Sequence, residues 1–419
     1  MDLYEIRMKF PGEKLHDVRK SVRQAMLRNP MLRTMPPRSP IAITAGSRGI
    51  ANMQDIYREI VDQLRSYSLS PFLVPAMGSH GGATAEGQIE VLRHLGITEE
   101  TVGAPIRSSM EVDFLGHTPG GLPVYLDRHA ARAAGIIVVN RIKAHTAFRG
   151  KIEGGLSKMI AIGLGKMTGA SFIHGAGVSN MAKNIEEISN IALKRAPILL
   201  GIGILENGYE ETTDIIGVLP EEWHEKEAEL LLRSKRLLPS LPVESIDLLI
   251  VEEMGKAFSG SGMDPNILGR WRIAGVPEPA SPSIKRIVVL DLAHNSNGNA
   301  QGIGLADFTT QALVDKIDRI VTYTSTITST FLQRGMLPMT FPTEREAIEA
   351  AIRSLGPEQD PAMVKLVQIP NTLHLDQVLV SSAVLRELER SGKNFERGGK
   401  TTLSFDPQGR IVRRLSRNR

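Results

Sequence analysis

The chain has 419 residues, 42% of them hydrophobic and 23% charged, and a formal net charge of +4, which is ordinary globular composition with enough length for two cores. Cysteine is absent, which excludes disulfides, thiolate metal sites, iron–sulfur clusters and a cysteine nucleophile, so any metal must take N or O donors, histidine first. With 5% aromatic residues, no long basic stripe, no apolar run of roughly 18 residues and no apolar signal core in MDLYEIRMKFPGEK, neither nucleic acid nor membrane is an expected partner, and the cytoplasm is the expected place.

In chain order, Leu3 to Met8 reads as a short strand and His16 to Arg28 as a basic amphipathic helix, with Pro36 and Pro37 closing this arm. The positive helix face is read as solvated rather than as a phosphate site. A strand–loop–helix plan then occurs three times. Ile41 to Thr44 runs into Gly46-Ser47-Arg48-Gly49, with a helix from Ala51 or Asn52 to Leu64. Phe72 to Pro75 runs into Ala-Met-Gly-Ser79-His80-Gly-Gly-Ala-Thr84, with Thr84 as N-cap of a helix from Ala85 to Leu95. Residues 103–127 read as short strands and turns, with Gly120-Gly121 as a hairpin signal. The third unit begins with the apolar β-branched run Ile136 to Val139, which reads as a buried parallel strand. It leads into Asn140, Arg141, Lys143 and His145, then Gly154-Gly155-Leu-Ser-Lys158, an apolar stretch, and His174.

The remainder continues in the same style. Met181 to Arg195 and Trp223 to Leu238 read as helices, with a strand from Ile198 to Leu205 between them. Pro239 to Pro242 reads as a boundary, which predicts domains at 1–240 and 246–419. A second set of strands follows: Ile246 to Val251, Arg286 to Leu292, Ile317 to Tyr323 and Val364 to Ile369. Phe258 to Asn266 reads as a glycine loop, either a lid or an ordinary connection. Glu344 to Ser354 and Ser382 to Arg390 read as helices, and Arg413 to Arg419 as a frayed basic tail. The expected fold class is α/β, two α/β domains with mainly parallel sheets and the active site in the cleft between them.

Ligands of open parallel sheets bind outside the carboxyl ends of the strands. Three such ends here carry Ser47/Arg48, Ser79/His80 and Lys143/His145. If the strands are neighbours, these side chains converge. Arg48 would then grip a carboxylate or phosphate, and His80 and His145 would serve as an acid/base pair near neutral pH.

These same residues carry a family resemblance. Ser47-Arg48, Gly78-Ser79-His80, Lys143-Ala-His145, Gly154-Gly155-Leu-Ser-Lys158 and His174 resemble the nickel-dependent lactate racemase family, over the N-terminal half with recognisable motifs and more loosely beyond it. Members carry a nickel-pincer nucleotide, the nickel complex of pyridinium-3,5-bisthiocarboxylic acid mononucleotide, tethered to a lysine through a thioamide. The resemblance implies Lys158 as the tether and His174, sixteen positions on, as the nickel ligand. It implies His80 and His145 as acid/base residues on opposite faces of a 2-hydroxy acid. Arg48, with Ser47 beside it, would hold the substrate carboxylate or the cofactor phosphate.

The implied activity is racemisation or epimerisation of a 2-hydroxy acid by reversible hydride transfer, and the implied partners are cofactor-assembly proteins; a homo-oligomer is left open. The family's acidic residue three positions before the arginine is Ala45 here, and the interval from His145 to the lysine is longer, which points to a 2-hydroxy acid other than lactate. In the C-terminal half, Lys256, Asn299 and Gln301 are candidates for the family's Gln/Lys pair.

The sequence also bears on two other classes. A nicotinamide-dependent oxidoreductase calls for GxGxxG with an acid about 20 positions on; Gly201-Ile-Gly203 and Gly302-Ile-Gly304 lack the third glycine. A non-catalytic nickel or nucleotide carrier calls for Lys158 and His174 but has no use for a histidine pair.

Overall fold

The structure, a computed structural model, describes residues 1–357, 360 and 362–416. It divides into two compact units, one of residues 11–238 and one of residues 1–10 with 239–419. No helix among the described residues is long and apolar enough to cross a membrane.

The chain opens with β1 (Asp2–Met8). The first unit then builds β2 (Pro40–Ala45), β3 (Ser70–Pro75), the hairpin β4 (Val112–His117) and β5 (Pro123–Asp127), β6 (Gly135–Arg141), β7 (Ile198–Glu206) and β8 (Thr212–Val218). Its main sheet has the order β3-β2-β6-β7-β8 among the described residues. The first four of these are parallel and β8 closes the edge antiparallel to β7. Alternate residues face opposite sides, as the strand period requires. Ile41, Ile43, Ile137, Val139 and Ile202 pack one core with the helix Met53–Ser66. Ala42, Val74, Ile136 and Val138 pack another with Leu156, Trp223 and Leu230. Both faces are covered, which explains why these strands read as unbroken apolar runs.

The second unit builds β9 (Ser245–Met254), β10 (Ser283–Leu292), β11 (Phe308–Thr310), β12 (Met339–Phe341), β13 (Leu366–Ile369), β14 (Gln377–Ser381) and β15 (Phe395–Thr402). Its sheet order is β12-β11-β10-β9-β13-β14-β1-β15. The strands from β12 to β13 are parallel to one another, and β14, β1 and β15 continue antiparallel.

Three sequence expectations need correction. The first strand belongs to the second unit: Leu3 pairs with Ser381 on one side and Thr401 on the other, with Leu3, Ile6 and Met8 buried. A domain of residues 1–240 therefore gives up its first ten residues, whose alternation names no partner. Ile317 to Tyr323 is not a strand but the lead into the helix Arg319–Ser329. The β-branched composition points to a strand, but Asp318 accepts the Val321 N–H at 3.0 Å as an N-cap, and Thr322 and Thr326 are buried four residues apart on one helical face. The basic tail is anchored as far as Ser416: Leu415 is buried, and the N–H groups of Leu415 and Ser416 donate to the Glu252 carboxylate at 2.8–3.0 Å. Residues 417–419 lie outside the described residues. The glycine loop 258–266 is a folded connection, with Met263 buried and Asp264 capping the turn Pro265–Leu268.

Candidate active site

Because β3, β2, β6 and β7 are adjacent and parallel, the loops at their carboxyl ends lie side by side. The β2 loop carries Ser47 and Arg48, the β3 loop His80, and the β6 loop Lys143 and His145. The strand ends thus bring together the three segments singled out from the sequence. Glu206, at the end of β7, holds the edge of this array: it pairs with Arg141 and accepts the Ala51 N–H at 2.7 Å.

His80 and Ser47 share a hydrogen bond through His80 Nδ1 and Ser47 Oγ. The segment under His80 is tied down by Gln88, fully buried, whose amide donates to the carbonyls of Gly78 at 2.9 Å and His80 at 3.3 Å. His145 is oriented from three sides. Its backbone N–H donates to buried Glu153 at 2.8 Å, its ring stacks on Phe148 at 4.1 Å, and Ala147 N–H donates to its Nδ1 at 3.2 Å. Glu153 is itself held by Lys235 at 2.7 Å. With Nδ1 accepting, the neutral ring carries its proton on Nε2.

That nitrogen lies 2.9 Å from Lys158 Nζ. Burial, and after it the charges of Arg48 and Lys143, push the Lys158 amine down to about 8. The amine and the imidazole thus share one hydrogen bond, and the lysine gives up its proton more readily than an exposed lysine does. Burial and the Lys158 charge likewise lower His174, which lies in the last turn of the helix Lys166–Gly175. Arg48 is exposed and makes no ion pair among the described residues.

The motif before Lys158 has a steric explanation. Its helix, Leu156–Lys158, begins against Glu227, a buried acid on the helix Trp223–Leu237. Ser157 donates to that carboxylate through its N–H at 3.1 Å and its hydroxyl at 2.5 Å, and Trp223 Nε1 donates to Ser157 Oγ at 3.2 Å. A Cβ on Gly155 would lie 2.3 Å from Glu227 Oε1, so glycine makes the space that the carboxylate fills. Burial pushes Glu227 up to about 7. After Lys158 the backbone runs as a π-helix, Met159–Leu164, a form found disproportionately at functional sites.

Glu227 escapes a reading of local motifs because it acts on Ser157, 70 positions away, while Glu153 and Gln88 lie within ten positions of the segments they hold but belong to no recognisable motif. Glu227 alone leaves a signal, since it shares a helical face with Trp223, Leu230 and Leu231, an acid on a core-facing stripe. In the second unit, Lys256 contacts Gln301 and donates to the Gly260 carbonyl at 2.7 Å, while Asn299 donates to Ser325 at 2.8 Å and Gln301 to Ser329 at 2.7 Å. Among the described residues no three His, Cys, Asp or Glu side chains stand close enough to hold a metal by themselves.

The sequence profile of the lactate racemase N-terminal domain matches residues 9–185. No curated protein matches the chain in sequence. Among solved structures, the lactate racemase apoprotein from Thermoanaerobacterium thermosaccharolyticum aligns over 88% of this chain and 94% of its own, with a TM-score of 0.55 and 14% identity. At that identity the likeness shows a shared fold.

Proposed function

We propose that this chain is a racemase or epimerase of a small 2-hydroxy acid of the lactate racemase type, working with a nickel-pincer nucleotide tethered at Lys158, a reading supported by the match of residues 9–185 to the lactate racemase N-terminal domain. The observation that carries the reading is the Lys158 amine, depressed to about 8 and turned onto His145 Nε2, with the His174 imidazole close enough to feel its charge. Such an amine is a nucleophile at neutral pH and suits a covalent tether. His174 would supply the protein's donor to nickel. When bound, the nucleotide supplies a hydride acceptor and the remaining metal donors.

The chain's own residues do the rest. Arg48, exposed and unpaired by any acid among the described residues, binds the substrate carboxylate. His80, its Nδ1 turned to Ser47, exchanges the hydroxyl proton through Nε2. His145, its Nδ1 fixed by Ala147, would do the same from Nε2. Inversion requires one base for each face of the intermediate keto acid, and this pair provides them. Assembly proteins deliver the nucleotide. Ala45 directs the search beyond lactate to other 2-hydroxy acids.

The test is co-production with a competent cofactor-assembly pathway, followed by intact mass, nickel analysis and optical assay of a panel of 2-hydroxy acids. Expected are a covalent adduct lost in Lys158→Ala, one nickel per adduct, and loss of optical activity from one acid of the panel. Wild-type protein with neither adduct nor nickel overturns the reading. Protein with both, inert towards every acid, makes the chain a carrier.

A further inference from the structure

Lys166 lies outside the roles assigned so far, yet its placement is unusual in two respects. It is fully buried, and its backbone is left-handed, with φ at +54°. A non-glycine residue in that region stores strain that its surroundings must offset. It stands where the π-helix after Lys158 ends and the helix carrying His174 begins.

Its side chain crosses to other segments. Nζ donates to the Pro75 carbonyl at 2.5 Å, where β3 ends and the His80 loop starts. It donates to Gln88 Oε1 at 2.9 Å and pairs with Asp127 Oδ2 at 3.3 Å, Asp127 being fully buried as well. The other end of the Gln88 amide holds the carbonyls of Gly78 and His80. The same loop is joined to the π-helix by Gly78 N–H, which donates to the Gly163 carbonyl at 3.2 Å. One buried ammonium therefore closes a circuit from the His80 loop, through Gln88 and Pro75, to the backbone between Lys158 and His174.

We propose that Lys166 is a positioning residue, which sets the His80 loop against the segment bearing Lys158 and His174. The importance of that spacing rests on the function proposed above; the clamp itself does not. Asp127 has a separate part. Its Oδ1 caps the turn Arg128–Ala131 by accepting Ala130 N–H at 2.9 Å, and its charge balances Lys166. A Lys166 that served only to neutralise Asp127 would be dispensable once that charge was removed.

The experiment compares Lys166→Met with the double variant Asp127→Asn/Lys166→Met, in the full chain. Thermal unfolding reads the charge balance, and amide exchange of Gly78 and His80 reads the clamp. The single variant is expected to lose stability, because it leaves a buried acid unpaired. The double variant is expected to regain most of that stability, while Gly78 and His80 amides still exchange at least tenfold faster than in wild type and the helix Met53–Ser66 exchanges as before. Return of Gly78 and His80 to wild-type protection in the double variant overturns the proposal, and so does unchanged protection in the single one. These readouts need no cofactor, so they decide the clamp even if no 2-hydroxy acid is turned over. If one is, the double variant should lose kcat with KM little changed, since Lys166 does not touch substrate.

Discussion

Lys158 Nζ and His145 Nε2 stand 2.9 Å apart and share a hydrogen bond. Ala147 N–H occupies the other imidazole nitrogen. The two groups therefore compete for one partner. On the function proposed above, a tether formed at Lys158 Nζ would end that hydrogen bond and leave His145 Nε2 to face substrate.

The first prediction concerns this amine. Labelling of Lys158 by a small acylating reagent, followed by peptide mass spectrometry, should rise through a midpoint near pH 8, where an ordinary lysine titrates at 10.5. Lys143→Met removes one of the like charges that depress it and should move the midpoint upward. A midpoint in the ordinary lysine range for wild type would contradict the geometry. Lys158→Arg should lack the covalent adduct entirely, because a guanidinium is no substitute for an amine nucleophile.

The roles proposed for His174 and Lys158 can be separated by experiment. His174→Ala leaves the Lys158 amine in place, so nucleotide attachment should persist while nickel content falls, with a nickel-to-adduct ratio well below that of wild type. Elemental analysis beside intact mass gives both terms. Equal loss of metal and adduct would mean that His174 serves attachment rather than coordination.

Glu227 should shape the pH dependence of stability. Its carboxyl titrates near 7 in the fold against 4.5 when exposed, so the folded state holds this proton over a range where the unfolded state has released it. Stability from this group is then fully present below about 4.5, falls as pH rises towards 7, and is flat above, with a total on the order of 3 kcal/mol. Denaturant melts of Glu227→Gln and wild type between pH 4.5 and 8 should diverge in that direction, the variant lacking this part of the slope.

Gly155 gives a steric test of the same junction. Its φ of 172° is extended and open to any residue, so an alanine is opposed by contact alone, the Glu227 oxygen at 2.3 Å. Gly155→Ala should cost about 1–3 kcal/mol by overpacking. It should also slow Lys158 labelling, because the displaced carboxylate no longer caps the helix that presents the lysine. Gly175→Ala meets nothing within 4 Å and serves as the control.

Much of this was legible in the sequence because it is local. The runs Ile41–Thr44, Phe72–Pro75 and Ile136–Val139, each followed by glycine and polar residues, announce buried strands and the loops at their ends, and those loops carry Arg48, His80 and His145. What brings Glu227 to Ser157, 70 positions away, or Lys166 to Pro75, 91 positions away, is the packing of whole elements, and no pattern within a window records it. Ile317 to Tyr323 misleads for the opposite reason: local β propensity is strong there, and a single aspartate cap with two buried threonines outweighs it.

The pairing of β1 imposes an order on biosynthesis. Leu3 meets Ser381, Thr401 and nothing nearer in sequence on either flank. At a ribosomal pace of about 5–20 residues per second, the leading strand waits roughly 20 to 75 s for its neighbours to be made. Residues 11–238 have by then all emerged and can fold as their own unit. Throughout that interval Leu3, Ile6 and Met8 lack the strands that flank them in the fold, and both edges of this apolar strand are open. β15 lies at the sheet edge beside β1, so the second sheet is complete only after residues 395–402 have been made.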